Sequence, residues 1–248
     1  MNDDSPNRGQ GTASTGSIAY WAIVPAAGFG HRLGAPVPKQ FLELGRRTVL
    51  EHSLESLWSI PQLEGLVLVS HGHPALASIL ERYSAHNLIR APGGTERCHS
   101  VLNGLLALSE LASEDDWVLV HDAARPCVRH HDLHLLIRKL ATHPVGGLLG
   151  TRVRDTMKTT DAQGLISATV ERRHLWHALT PQMFRYGLLK AALEKALDDG
   201  YEVTDEASAM EHAGYQPLII EGHADNIKIT EFEDLQLAEF FLQLQGRL

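Results

Sequence analysis

The residues best suited to chemistry stand just past an apolar run, where Ile23-Val24-Pro25-Ala26-Ala27 gives way to Gly28 and Gly30 and then to the cations Arg32 and Lys39. Glycines lack a Cβ, so the backbone can bend sharply, adopt positive φ and bring its N–H groups against phosphate oxygens. Arg32 adds a planar fork and Lys39 a mobile point charge, which together suit a polyphosphate. The competing interpretation is an ordinary strand-to-helix turn with two unrelated cations. Two familiar phosphate loops do not match. A P-loop needs G-x-x-x-x-G-K-[ST], and no Gly-Lys-Ser/Thr follows Gly28. A dinucleotide fingerprint needs G-x-G-x-x-G, and Leu33 stands at the third glycine.

Three further stretches carry chemistry. Gly93-Gly94-Thr95-Glu96-Arg97-Cys98-His99-Ser100 precedes a helical pattern, and free N–H groups of a first helical turn favour anionic or acceptor ligands; a capped helix after a glycine turn is the alternative. His121-Asp122-Ala123-Ala124-Arg125-Pro126 follows the apolar Trp117-Val118-Leu119-Val120. A carboxylate at the end of a buried parallel strand sits where open α/β sheets place ligands. Asp122 is therefore a Mg²⁺ candidate, because a hard ion on a triphosphate takes one or two carboxylates and keeps waters; a helix cap or turn residue is the alternative. Lys228 lies inside the β-prone Asn226-Ile227-Lys228-Ile229-Thr230, where a solvated edge lysine is the usual reading.

These residues need elements to hold them. Runs at 18–25, 66–70, 88–90, 117–120 and 218–222 read as strands, and residues 49–58, 74–83, 102–108, 132–140, 186–197 and 231–244 read as helices. The alternation implies a layered α/β fold, most simply a doubly wound, mostly parallel sheet. Residues 152–160 and 165–172 form two polar β-prone runs around a turn at 161–164, which predicts a hairpin within an arm of about 151–176. Thr204 is placed at the N-cap of a helix after Val203.

With 248 residues, 44% hydrophobic and 21% charged, the chain suits a soluble globular domain. A net charge of −8 offers no basic surplus for a nucleic-acid backbone. Cys98 and Cys127 have no metal-type spacing, and the fifteen histidines are scattered. Residues 1–17 are polar and rich in Gly, Ser and Thr, which predicts a disordered tail before a domain at 18–248. With no apolar leader or membrane span, a cytoplasmic protein is expected.

The string P-A-A-G-x-G-x-R-x-G-x-x-x-P-K-Q over residues 25–40 resembles the signature loop of nucleotide-sugar-type nucleotidyltransferases, and its wording is closest to the 2-C-methyl-D-erythritol 4-phosphate cytidylyltransferase family. The 93–105 segment, H-D-A-A-R-P at 121–126, the arm, 175–184 and N-I-K-I-T at 226–230 resemble that family in the same order. The resemblance implies a Rossmann-like fold and transfer of a cytidylyl group from CTP to a small polyol phosphate with Mg²⁺ or another divalent cation. It assigns catalysis to Arg32, Lys39 and Lys228. Nucleotide binding falls to Pro25, Ala26, Ala27, Gly28, Gly30, Gly93, Gly94, Thr95, Arg97, Ser100, Asp122 and Ala123, with Asp122 also holding the metal. Arg125, Thr156, Arg172, Thr180 and Thr204 would contact the second substrate. The arm would embrace a second subunit, making a homodimer without nucleic-acid or membrane partners. Alternatives are a cytidylyltransferase for a pentitol phosphate such as ribitol 5-phosphate, a nucleotide-binding module without turnover, and a dinucleotide-dependent oxidoreductase.

Overall fold

The computed structural model describes residues 18–28 and 37–248; the expected tail at 1–17, and Gly30 and Arg32 within 29–36, lie outside the described residues. In chain order come β1 (Tyr20–Pro25), a 3-10 turn at Lys39–Phe41, the small hairpin β2 (Glu43–Leu44) and β3 (Arg47–Thr48), and α1 (Val49–Trp58). Then follow β4 (Leu63–Ser70), α2 (Pro74–Arg82), β5 (Leu88–Pro92), α3 (Arg97–Leu106), β6 (Trp117–Val120) and α4 (His130–Leu140). The second half holds β7 (Gly146–Arg152), β8 (Met157–Thr160), β9 (Ile166–Val170), β10 (Trp176–Arg185), α5 (Tyr186–Asp198), α6 (Glu206–His212), β11 (Leu218–Glu221) and α7 (Phe232–Leu244).

Seven strands make one sheet in the order β11-β7-β10-β6-β1-β4-β5. β1 runs parallel to β4 and β6, β4 to β5, and β7 to β11; β10 alone runs antiparallel, to both β6 and β7. Parallel strands covered on both faces are apolar at every position rather than at alternate ones. Ala22, Val24, Leu66, Leu68, Trp117 and Leu119 face one core with side chains of α1, α2 and α4. Trp21, Ile23, Val67, Val69, Val118 and Val120 face the other, with α3, α5 and α6. The sheet is thus wound on both faces, and the open ends of its parallel strands share one edge.

One strand is added to the sequence reading and two expectations are corrected. Residues 176–185 form a central strand that the letters hid, because Pro181 removes a ladder donor; the register between β10 and β7 shifts between Ala178 and Gln182, the kind of irregularity that tolerates proline. Arg152 ends β7 rather than starting the hairpin, so the paired arm is shorter, β8 against β9. The cap of α6 is Asp205, whose side chain accepts from Ser208 N, while Thr204 stands one residue outside. The arm is exposed along β8 and along β9 up to Val170, and Asp161 Oδ1 closes its turn by accepting from Gln163 N and Leu165 N.

Candidate active site

Loops leaving β1, β4, β5 and β6 open onto a cavity of about 590 Å³, joined by the segment before α7. Pro25, Ala26, Ala27 and Gly28 line it from the first loop, Gly94, Thr95, Arg97 and Ser100 from the third, Asp122 and Ala123 from the fourth, and Lys39 and Lys228 across from them. This is the carboxyl edge at which open α/β sheets take ligands.

The first loop is held from behind. Gln40 is buried, and its Nε2 donates to Ala26 O at 2.8 Å and Gly28 O at 2.9 Å. Gly28 does not use positive φ, contrary to the expected role, and a Cβ built on it meets nothing within 4 Å among the described residues. Gly93 is constrained in the opposite way: a Cβ there would stand 2.5 Å from Ala27 Cβ and 2.7 Å from His71 Cε1, so only glycine lets the loops abut. Gly94 N donates to Ser100 Oγ at 3.0 Å, tying this loop to the first turn of α3.

Asp122 is the electrostatic centre. Its Oδ1 accepts from Arg97 Nε at 2.9 Å, and its Oδ2 lies 2.9 Å from Lys228 Nζ and 3.5 Å from Arg125 Nε. Burial alone would raise the pKa of this carboxyl, but Arg97, Lys228 and Arg125 outweigh it and hold the group well below the usual carboxylate range. Arg97 in turn makes a bidentate pair with buried Glu206, Nη1 to Oε1 at 2.6 Å and Nη2 to Oε2 at 3.1 Å. Against the cost of burial, Glu206 and Asp122 keep that guanidinium firmly charged.

The remaining candidates sort by position. Lys39 Nζ donates to Ile229 O at 2.7 Å, and Ile229 N donates to Ala124 O at 2.8 Å, so both lysines reach the cavity from a shared backbone framework. Arg125 backs the site: its Nη1 donates to Asn226 O at 2.7 Å. Thr180 is buried, with Oγ1 accepting from Asp122 N at 3.1 Å and bonded to His121 Nδ1 at 3.0 Å, so it fixes the Asp122 backbone rather than lining the cavity. Thr204 N donates to Ser208 Oγ beside α6. Thr156 and Arg172 lie on the exposed arm, with Arg172 Nη1 donating to Arg154 O, and the structure does not bring them to this cavity. Glu206, Gln40 and Asn226 went unassigned in the sequence; a signal for Glu206 was its place in the first turn of a helix directly after Thr204-Asp205, which read only as capping.

A mostly parallel sheet wound on both faces, with cations gathered round one carboxylate beyond its strand ends, defines an α/β nucleotidyltransferase. The chain belongs to the family described as IspD, 2-C-methyl-D-erythritol 4-phosphate cytidylyltransferase, whose model matches residues 20–244. A protein of that name from Pseudomonas aeruginosa PAO1 is 51% identical over 218 residues, 88% of this chain and 93% of the relative. One from Vibrio vulnificus YJ016 is 49% identical over 221 residues, 89% and 93% of the two chains. The crystal structure of the Francisella tularensis enzyme of that name superposes with a TM-score of 0.78 at 33% identity, covering 90% of this chain and all of that one.

Proposed function

We propose that this chain transfers the cytidylyl group of CTP to 2-C-methyl-D-erythritol 4-phosphate, forming 4-(cytidine 5'-diphospho)-2-C-methyl-D-erythritol and pyrophosphate on the non-mevalonate route to isoprenoid precursors. The observation that carries the site assignment is the convergence of Lys39, Arg97 and Lys228 on one cavity around Asp122. An oxygen of the alcohol phosphate bonds to the α-phosphorus of CTP, and the bond from that phosphorus to the bridging oxygen of the β-phosphate breaks. The attacking monoester is already an anion, so no side chain need remove a proton, and positioning with charge neutralisation carries the step.

Lys228 stabilises the charge that grows on the α-phosphate, and Lys39 with Arg32 holds the leaving pyrophosphate. The 93–100 segment seats cytosine and ribose. Asp122 suits a magnesium ion carried in on the triphosphate: it is a hard oxygen donor on the cavity wall, and such an ion draws its other ligands from phosphates and water. When bound, the ion adds positive charge to the departing pyrophosphate. The β8–β9 arm reaches a second subunit, with exposed Met157, Leu165 and Ile166 as its apolar contacts, and presents Thr156 and Arg172 to the alcohol phosphate there. Arg125, Thr180 and Thr204 support that substrate's side of the site. No helix among the described residues is long and apolar enough to cross a membrane, which suits a cytoplasmic enzyme.

The test is pyrophosphate release from CTP and Mg²⁺, with 2-C-methyl-D-erythritol 4-phosphate and ribitol 5-phosphate in parallel. Release with the methylerythritol substrate is expected. Release with ribitol phosphate alone would transfer the chain to another alcohol, and release with neither would leave a nucleotide-binding module. A monomeric mass in solution would remove the role of the arm between subunits.

A further inference from the structure

Outside the cytidylyl site, two histidines and a buried aspartate converge across 91 residues of sequence. Asp132, in the first turn of α4, is 1% exposed, and its Oδ1 lies 2.7 Å from His223 Nδ1 and 3.2 Å from His131 Nδ1. We propose that His131, Asp132 and His223 form a binding site for a divalent transition ion of the zinc type.

The donor set is borderline in softness, two imidazoles and one carboxylate, which suits zinc and its neighbours rather than magnesium. The three donor atoms lie within 4.8 Å of one another. Zinc bonds to nitrogen and oxygen are about 2.0–2.2 Å, so donors across a tetrahedral ion stand roughly 3.3 Å apart. The two spacings to Asp132 Oδ1 need adjustments of about half an ångström or less to accept the ion. Both histidine side chains are open to solvent, which leaves a path of entry and room for water in the fourth position.

Charge supplies the second argument. A buried carboxylate requires a counter-charge; among the described residues the two imidazoles lie within ion-pair distance of Asp132, and Arg129 acts on it from farther off. The nearby Arg129 is turned to Asp225, with Nε and Nη2 at 2.8 and 2.7 Å from its Oδ2. A divalent ion shared among the three groups would add positive charge directly at this buried carboxylate. The carboxylate is also oriented as a ligand should be: its Oδ2 accepts from His223 N at 2.9 Å.

The position gives the ion a structural consequence. His223 stands where the chain leaves β11, five residues before Lys228, and between them Asn226 is fixed by Arg125 at its carbonyl and by Thr180 O at its Nδ2. An ion here would tie the start of α4 to the root of the Lys228 segment. It shares no ligand with Asp122.

The experiment titrates the chelator-stripped full chain with ZnCl2 by calorimetry and records Co²⁺ absorption in parallel. One zinc per chain is expected, with the visible bands of a low-symmetry cobalt site. His131→Ala changes an exposed side chain and leaves the fold intact; it should weaken zinc by more than the ~10-fold that losing even an outer-shell partner costs, and His223→Ala should do the same. His174→Ala, on the exposed arm, should bind zinc as the wild type does. Absence of one-to-one zinc binding to the wild type would overturn the site. So would equal affinity in the wild type and His131→Ala, which would place the ion elsewhere.

Discussion

Replacing Lys228 with alanine should damage turnover and spare the fold, and the structure gives both magnitudes. Lys228 Nζ is 2.9 Å from Asp122 Oδ2, but the lysine side chain is 39% exposed. An ion pair with one partner that open to water contributes about 0–1 kcal/mol. Removing one member of a buried pair can cost about 3–5 kcal/mol when the other charge is orphaned. Asp122 is not orphaned here, because Arg97 remains at 2.9 Å and Arg125 at 3.5 Å. Folding stability should therefore fall by no more than about 1 kcal/mol. In the proposed reaction the ammonium would face charge that appears only as the α-phosphorus is attacked, and deleting such a donor costs about 2.7–4 kcal/mol, or about 10²–10³ in kcat. Pyrophosphate release gives kcat and KM, and urea unfolding followed by tryptophan fluorescence gives stability on the same preparation. Lys228→Arg, which keeps the charge but changes its reach, should fall between. A kcat loss under about tenfold would remove Lys228 from the chemical step. A stability loss near 3 kcal/mol would show instead that the pair holds the site together.

Glu206→Gln keeps the shape but removes one of the two carboxylates facing Arg97, which retains Asp122 at 2.9 Å, so stability should drop by about 1–3 kcal/mol and KM for CTP should rise; an unchanged urea midpoint would contradict the pairing. Gly93→Ala should cost about 1–3 kcal/mol through its clash with Ala27, while Gly28→Ala should fold normally and weaken CTP alone; equal stabilities for the two variants would count against the loop geometry. Stability should also fall with acid. Burial holds His121 neutral, with its pKa pushed down to about 4 from an ordinary 6.5. Between those values the unfolded chain binds the extra proton, so stability declines as pH falls through that window, by on the order of 3 kcal/mol. Buried His52 acts in the same direction, whereas Asp122 adds its loss only at lower pH. Urea midpoints between pH 7 and pH 4 measure the slope, and His121→Gln should flatten it; an unaltered slope would assign the proton elsewhere.

What could be read from the letters followed from how each element is buried. β1, β4 and β6 are apolar at successive positions because both faces of the sheet are covered, and that pattern is visible in one dimension. β10 is equally central, yet Thr180, Pro181 and Gln182 occupy its middle, and only its irregular pairing with β7 makes room for them. The same limit applies to the site. Letters reveal side chains able to carry charge, but not which charges cancel. Arg97 reads as a nucleotide-binding residue, but the letters do not show that Glu206, 109 residues on, holds two of its nitrogens. Thr180 reads as a substrate-side residue, and the letters do not show that its hydroxyl also holds the Asp122 backbone. A chain whose net charge is −8 nevertheless sets Lys39, Lys228 and Arg97 on this cavity with Arg125 behind it, and Asp122 is shared among Arg97, Lys228 and Arg125. That local reversal of sign draws a triphosphate to one edge of an otherwise anionic protein. Lys228 is the cation best placed to change partners on its arrival, because it is the more exposed half of its pair and Asp122 has two guanidinium groups in reserve.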